Sequence, residues 1–420
     1  MAVAAISVAL VATTAACGSD DDSSGSEGGG QVTLAFTWWG DPNRAKVTQD
    51  AVAAFERKNP NIKVTTTYTG YADYFTKLAT QTAGGDAPDV FQMDYRYLSE
   101  YGSRGVLADL DQTGQGTLDL ANVPEVLADT GKWDGKRYAI PFGQTTGVVV
   151  YDKAFFTSAG INPPEASWTW DAFGALAGQL SAKGGGKVAG SVDASYLEDG
   201  FEIWLRQQGK ALYNAEGKLA FTEADLVQWW DLWAKLRASK AVTEPTVTVP
   251  GATGDVTKNG LIRKVAAMDF GTSSNASAYG TDIGLINYPG EAAKAGQYIK
   301  PSMLLSAYAR GKHPKEAAAL INFLINDPDA GKILGVSRGV PPNSTIAQSI
   351  SSSLKPIDQQ ILAYITEMTP KVGPPPVPPP AGDGQIQQLL VRITQDVWFG
   401  RQQPAAAAKA FFSQAETELQ

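Results

Sequence analysis

The chain has 420 residues, of which 43% are hydrophobic and 19% charged, a composition typical of a folded protein with a sizeable core. Its formal net charge is −8 and its sequence contains no basic cluster, which argues against nucleic-acid binding. With one cysteine and one histidine, an intramolecular disulfide is excluded, and any Ser-His-Asp or Cys-His nucleophile system has a single imidazole to use.

The first segment is an apolar run, "AVAAISVALVATTAA", which ends in small residues directly before Cys17. It is shorter than the about 20 residues that a spanning helix needs, so it fits the apolar region of a signal peptide. Small residues followed by cysteine resemble a bacterial lipobox, although Thr14 stands where leucine is usual. The resemblance implies a signal peptide over residues 1–16, lipidation of Cys17, and anchoring to the outer face of the cytoplasmic membrane. Residues 17–30 include "GSDDDSSGSEGGG", which predicts a flexible tether.

From Gln31 onward, the pattern predicts alternating strands and helices. "QVTLAFTWWG" predicts a strand, and a helix follows with Asp41 or Asn43 as its cap. "NIKVTTTYTG", "YADYFTKLATQTAGG" and "PDVFQMD" then predict a strand, a helix and a strand. Such alternation predicts βαβ units and a mainly parallel sheet, in which ligands bind beyond the carboxyl ends of the strands.

The second half of the chain also predicts strands and helices, and its helices are longer. "GVVVYD" and "KVAAMDFG" predict strands, and "FTEADLVQWWDLWAKLRAS" predicts a helix capped by Thr222, whose tryptophans recur at helical spacing and therefore favour packing. His313 precedes a helix that Pro328 interrupts. Helices are also predicted around residues 386–398 and 404–419, and "GPPPVPPPAGDG" predicts a rigid surface loop.

Several segments, in this order, resemble landmarks of the solute-binding proteins of ABC sugar importers, of the maltose-binding-protein type. They are "AVAAFERKNPNIKVTTTYTGYADYFTKLATQTAGGDAPDVFQMD", "GKRYAIPFGQTTGVVVYDKAFFTSAGI", "KVAAMDFG", "GKHPKEAAALINFLINDPDAG" and "RGVPPN". The resemblance implies an α/β, two-lobed periplasmic-binding-protein type II fold that closes on a sugar by hinge motion. The lobes are expected over residues 31–142 plus 303–340 and over residues 143–302 plus 341–420, with hinge crossovers between them.

The resemblance also implies where the sugar binds. Aromatic rings take the apolar face of a sugar ring, and carboxylates, amides and guanidiniums take its hydroxyls. The candidate ligand-binding residues are Trp38, Trp39, Asp41, Asn43, Asp94, Tyr95, Arg96, Gln144, Thr145, Tyr196, Trp204, Asn275, Ser302 and Arg338. One departure concerns the segment after "AAMDFG", where relatives often place a tryptophan and this chain has "TSSNAS", so maltose itself is not implied.

The expected function is therefore capture of a carbohydrate, preferentially an oligosaccharide, outside the cell. The expected partners are the sugar, the membrane permease of an ABC importer, and the membrane through the lipid anchor. We expect a monomer that has no enzymatic activity and no cofactor. We expect no metal site either, because no cysteine or histidine cluster and no EF-hand-like loop occurs in the sequence.

Three alternatives stay open. An acidic (uronide) solute could be bound by Arg96, Arg206 and Arg338, and a phosphorylated or polyol solute is a related choice. A glycoside hydrolase would need two carboxylates about 5 to 9.5 Å apart, such as Asp41 and Asp94. A purely adhesive surface protein would bind no small ligand.

Overall fold

The computed structural model describes residues 30–253, 256–290 and 296–419. The predicted signal peptide, Cys17 and nearly all of the tether lie outside the described residues. Within them, no helix is long and apolar enough to cross a membrane. The strands are β1 Val32–Trp39, β2 Ile62–Thr69, β3 Val90–Met93, β4 Lys132–Trp133, β5 Lys136–Arg137, β6 Ile140–Thr145, β7 Gly147–Asp152, β8 Met268–Thr272, β9 Ile283–Ile286 and β10 Lys300–Ala307.

The helices carry most of the chain between these strands. They are α1 Pro42–Lys58, α2 Tyr71–Gly84, α3 Leu98–Ser103, α4 Leu110–Thr113, α5 Glu125–Ala128, α6 Lys153–Ala159, α7 Trp170–Gly184, α8 Glu198–Gln207, α9 Glu223–Ala238, α10 Pro245–Thr248, α11 Pro314–Asn326, α12 Pro328–Leu334, α13 Ser344–Ile350, α14 Pro356–Met368, α15 Asp383–Trp398 and α16 Pro404–Glu418.

Local signals in the sequence fix many of these ends. The Asp41 carboxylate accepts a hydrogen bond from the backbone N–H of Arg44 at 2.9 Å and caps α1, so Asp41 is the cap of the two that the sequence offered. Gly85 ends α2 with φ of 75°, a left-handed conformation that glycine adopts without strain. Asp327 separates α11 from α12 directly before Pro328, which confirms the predicted interruption.

The N-terminal sheet is mixed, which corrects the expectation of mainly parallel sheets. Its order is β2-β1-β3-β10-β6, and β1 pairs in parallel with β2 and β3. The pairings of β10 with β3 and with β6 are antiparallel. The first three strands are joined by helical crossovers, which parallel pairing requires, whereas β10 enters the sheet after a long excursion of the chain and is free to run the opposite way.

The second sheet is antiparallel throughout, a further correction. It has three strands in the order β8-β7-β9, with β7 at the centre. All three residues of the run Val148–Val150 are fully buried in this central strand.

The buried apolar residues form separate cores. The first holds residues between Leu34 and Phe142 and between Met303 and Leu334, and the second lies mainly between Val149 and Tyr298 and continues in α15 and α16. We call the two parts of the molecule the N-terminal and C-terminal lobes. A third cluster joins Val148 and Val150 to α14 and also includes Val336 and Val340.

Within the described residues, three segments cross between the lobes, near the β6–β7 junction, at the start of β10, and over residues 335–342. The close approach of two of them depends on Gly143, where an added Cβ would lie 1.9 Å from the carbonyl oxygen of Arg338. Only glycine fits at such a contact between backbones. The three crossing segments are the elements that hinge motion would bend.

The tryptophans of α9 belong to the C-terminal core. Trp229, Trp230 and Trp233 are essentially fully buried, and Trp233 makes edge contacts with Trp229 and Phe270 at ring-centroid distances of 5.5 and 5.6 Å. The prediction that these rings pack rather than bind a ligand is confirmed.

The capping box of α9 gives a first testable prediction. The Thr222 hydroxyl accepts the N–H of Asp225, and the Asp225 carboxylate accepts the N–H of Thr222 at 2.9 Å. Thr222→Ala is expected to lower the free energy of unfolding by about 1 kcal/mol in urea denaturation. Thr366→Ala is the control, because that hydroxyl bonds the carbonyl of Leu362 within its own helix, on an exposed face. Equal effects of the two changes would contradict the capping role.

Candidate ligand-binding site

A cavity of about 790 Å³ lies between the two lobes. Its walls come from α2 and α3 of the N-terminal lobe, and from α8, α15 and the segments before α8 and near residue 251 of the C-terminal lobe. A second hollow, of about 570 Å³, has no aromatic ring among its described lining residues, which run from Leu120 to Arg137 with Ser344. The interlobe cavity is therefore the better candidate for a solute site.

The N-terminal wall of the cavity is aromatic. Phe75 and Tyr97 stack with ring centroids 3.9 Å apart, and Tyr71 meets the Phe75 ring edge-on at 5.9 Å. Tyr71 is 43% exposed, and its hydroxyl donates a hydrogen bond to Asp94 at 3.0 Å. Tyr71 begins α2 directly after β2, so the strand-to-helix turn places this ring at the carboxyl edge of the sheet.

The C-terminal wall is rich in amides. α15 turns Ile386, Leu389, Leu390 and Ile393 into the core. Its opposite face lines the cavity with Gln385, Gln387, Gln388, Val391, Arg392 and Gln395. Amide groups both donate and accept hydrogen bonds, as recognition of hydroxyl groups requires.

Between the two walls lies a set of charges that joins the lobes, which we call the interlobe ion cluster. Its members are Asp94, Arg96, Glu198, Asp199, Lys300 and Asp383. The Arg96 guanidinium lies 2.9 Å from Glu198, 3.4 Å from Asp383, and 3.9 Å from both Asp94 and Asp199. Lys300 adds an ion pair with Asp199 at 2.6 Å.

Burial dominates the acid–base properties of this cluster. It raises the pKa of Glu198 to about 8, and the nearby charge of Asp383 acts in the same direction. Burial also raises the pKa of Asp383, and it raises that of neighbouring Glu202 to about 7. For Asp199, burial acts upward as well, but Lys300 and Arg96 outweigh it and lower the pKa.

Three of the predicted residues are close to this cavity. Tyr196 lines it directly, and its ring meets Trp398 edge-on at 5.7 Å. Asp94 and Arg96 lie in the interlobe ion cluster beside it. Sequence reasoning thus found one cavity-lining residue and two of the charges that join the lobes.

The predicted tryptophans after β1 are buried in the N-terminal core. Trp38 is fully buried beside Phe36, and Trp39 packs between Tyr74 and Phe75. Trp39 nevertheless contacts a residue of the cavity wall, because its ring packs edge-to-face with that of Tyr71 at a centroid distance of 5.4 Å.

Arg338 is a buried structural residue in this conformation. Its guanidinium donates to the Gln92 side chain at 2.6 Å, to the Thr48 hydroxyl and to the carbonyl of Trp39. Burial lowers its pKa well below the ordinary value. These bonds tie the crossing segment 335–342 to the N-terminal lobe.

Other predicted residues lie at the hinge. The Gln144 amide donates to the carbonyl of Pro341 at 3.2 Å, the Thr145 hydroxyl lies 3.1 Å from that of Ser273, and the Ser302 hydroxyl donates to the carbonyl of Arg338. The bonds of Gln144 and Ser302 join crossing segments to each other, and that of Thr145 joins a crossing segment to the residue after β8.

The remaining predicted residues have local roles. Asn43 and Asn275 are exposed, and Asp41 caps α1. Trp204 packs on Phe201 and Trp229 at 6.0 and 5.7 Å.

The Tyr95 hydroxyl donates to the carbonyl of Pro376 at 3.2 Å, which leads to the proline-rich segment. Ser99 also donates to this segment, at the carbonyl of Pro379, and Arg206 of the C-terminal lobe bonds Pro374. The predicted rigid surface loop is therefore a contact between both lobes.

Sequence reasoning missed most of the cavity wall. Tyr71 and Tyr97 follow strands closely and satisfy the same rule that singled out Trp38. The polar residues of α15 recur at positions 385, 388, 392 and 395, a helical stripe that was present in the sequence. Glu198 had no comparable signal, because the residue that it bonds, Arg96, is 102 positions away.

Comparisons with known proteins agree with this architecture. The family model for bacterial extracellular solute-binding proteins matches residues 40–331. An erythritol/L-threitol-binding protein of Mycolicibacterium smegmatis is 28% identical over 337 residues, which are 71% of this chain and 69% of that protein. A periplasmic oligogalacturonide-binding protein from Yersinia enterocolitica, solved with saturated digalacturonic acid, shares the fold at 24% identity, with a TM-score of 0.80 over 93% of this chain and 100% of that one.

A solved family 1 extracellular solute-binding protein from Alicyclobacillus acidocaldarius is 32% identical, with a TM-score of 0.71 over 93% of this chain and 99% of its own. The resemblance seen in the sequence is thereby confirmed. The chain belongs to the family 1 extracellular solute-binding proteins of ABC transporters and has their type II periplasmic-binding-protein fold.

Proposed function

We propose that this protein captures a hydroxyl-rich solute, a carbohydrate or a polyol, outside the cell and delivers it to the permease of an ABC importer. The observation that carries the proposal is the interlobe cavity with one aromatic and one amide-rich wall. Its volume of about 790 Å³ falls within the range of small-molecule sites, about 300–1,000 Å³. In this proposal the lobes close on the solute, and lipidated Cys17 holds the protein at the membrane as a monomer.

We favour a hydroxyl-rich solute over an acidic one because the three arginines considered for an acidic solute have partners within the protein. Arg96 is surrounded by four carboxylates, Arg338 is buried among neutral acceptors, and Arg206 bonds the carbonyls of Gly296 and Pro374. The three guanidiniums that the sequence offered for a uronide are therefore engaged within the protein, and Arg392 of the cavity wall bonds Gln414 at 2.6 Å. The related protein named for erythritol and threitol supports a polyol or sugar instead.

The aromatic wall gives the second testable prediction. Tyr71→Ala is expected to weaken solute binding about tenfold, since loss of a stacking ring is worth about 1.4 kcal/mol. Tyr68→Ala is the matched control, because Tyr68 is equally exposed, at 42%, but does not line the cavity. Isothermal titration calorimetry measures the solute affinity of both variants. Equal affinities would show that Tyr71 does not contribute to the site.

A thermal-shift screen of the region from Gln31 onward tests the proposal itself. The panel contains polyols, monosaccharides and oligosaccharides, in neutral, basic and acidic forms. A solute at about 100 times its dissociation constant adds about 2.7 kcal/mol of stability. A shift with neutral or basic sugars or with polyols supports the proposal, whereas a shift with acidic sugars alone, or no shift in the whole panel, would overturn it.

A further inference from the structure

One polar atom at the cavity has no hydrogen-bond partner among the residues that the structure describes. Glu198 lines the cavity at its boundary with the interlobe ion cluster, and its side chain is 5% exposed. Its Oε2 bonds Arg96 at 2.9 Å, but its Oε1 is buried without a hydrogen-bond partner. A buried carboxylate oxygen left unpaired is costly, because it has lost its hydration without replacement.

The charges around Glu198 do not balance. The interlobe ion cluster contains four carboxylates and two cations, Arg96 and Lys300. Glu202, which bonds Tyr298, adds a fifth buried carboxylate nearby, and Arg206, which lies over the Tyr298 ring, adds a third cation. The described part of this region therefore carries more negative than positive groups. Burial is the main cause of the raised pKa of Glu198, and the charge of Asp383 adds to it.

The other charges on the cavity wall do not compensate for this excess. Glu100 pairs with Arg104 at 2.9 Å, away from the cluster. Arg392 bonds Gln414 at 2.6 Å, and it follows Asp383 by nine residues of α15, about 13 Å along the helix axis. One end of the cavity is therefore negative, while the other end holds an exposed arginine.

We propose that the solute carries a positively charged amino group, as an amino sugar does, and that Glu198 Oε1 receives that group. This inference rests on the function proposed above and narrows its substrate class. An ammonium group supplies both the missing hydrogen bond and the missing positive charge. A neutral hydroxyl supplies only the hydrogen bond, and a carboxylate adds to the excess of negative charge.

The test compares sugars that differ in the charge and the substituent at one carbon. Glucosamine, galactosamine, mannosamine and the β-1,4 dimer of glucosamine are each measured beside the N-acetylated form and the neutral parent sugar, with galacturonate as the anionic probe. Calorimetry at pH 7 is expected to show at least tenfold tighter binding of an amine than of its acetylated and parent forms. Galacturonate is expected to bind most weakly.

Two variants locate the effect. Glu198→Gln is expected to abolish the preference for the amine, so that the amine and its parent sugar bind with about equal affinity. Glu367→Gln removes one exposed carboxylate that pairs with Lys371, and it is expected to leave the preference unchanged. Retention of the preference in Glu198→Gln would overturn the assignment to Glu198.

A measurement on the unmodified protein stands even if the Glu198 variant fails to fold. Binding of an ammonium group should ionise Glu198, so calorimetry in two buffers of different ionisation enthalpy should show release of about one proton at pH 7. Neutral sugars should release none. Equal or tighter binding of the acetylated or parent sugars would overturn this inference and leave the proposed function intact, whereas no binding of any sugar or polyol would overturn both.

Discussion

Arg96→Met is expected to lower the free energy of unfolding by about 3–5 kcal/mol and to separate the lobes. The guanidinium is the shared partner of Asp94, Glu198, Asp199 and Asp383, which come from both lobes. Methionine replaces the apolar stem of the arginine side chain but leaves these carboxylates without their common cation. Breaking a buried ion pair by removing one partner typically has an effect of about this size.

Urea denaturation measures the loss of stability, and small-angle scattering measures the separation as an increase in the radius of gyration. Arg104→Met is the control, because the Arg104 side chain is 58% exposed and the ion pair of an exposed arginine, here with Glu100, is worth about 1 kcal/mol or less. The effect of Arg96→Met should grow from pH 6 to pH 8, as Glu198 loses its proton. A loss of stability no larger than that of Arg104→Met would show that the cluster does not hold the lobes together.

The parts of the fold that local chemistry determines were predictable. The alternation around α1, β2 and α2, the cap at Thr222 and the interruption at Pro328 all rest on residues within a few positions of each other. The direction of β10 was not predictable in this way, because its pairing with β3 joins Leu304 to Met93 across more than half of the chain.

The site was harder to predict than the fold for a related reason. The rule that ligands bind after strands gives the edge of the sheet, but it does not say which side chains face outward there. Trp38 and Trp39 satisfy the rule, yet both are covered by neighbouring aromatic rings, whereas Tyr71 keeps a face open. Glu198 reaches Arg96 only when the lobes meet, so its role depends on tertiary structure alone.

The solute-free protein is expected to lose stability as the pH rises from about 5 to 8.5. Burial raises the pKa of Glu202 to about 7 and that of Glu198 to about 8, above their ordinary value of 4.5. The folded state therefore binds these protons more tightly than the unfolded state does. Their contribution is fully present below the unfolded pKa and is lost as the pH rises through the folded values.

The expected loss in the free energy of unfolding is on the order of 3 kcal/mol for Glu202 alone, since each unit of pKa difference between the folded and unfolded states corresponds to about 1.4 kcal/mol. Asp199 and Asp225 have lowered pKa values and act in the opposite sense, but their contribution is lost only as the pH falls below about 4. The chain has a single histidine, so a slope of more than one proton across this window has to come from carboxyl groups.

Urea denaturation at half-unit intervals of pH measures this slope. Glu202→Gln is expected to reduce the slope of the free energy of unfolding against pH by the equivalent of about one proton. The amide keeps the shape of the side chain but does not titrate. Glu367→Gln, an exposed carboxylate, is expected to leave the slope unchanged. A free energy of unfolding that stays level or rises from pH 5 to 8.5 would mean that these carboxyl groups are hydrated in solution. The lobes would then be open without a solute, and the interlobe ion cluster would form only on closure.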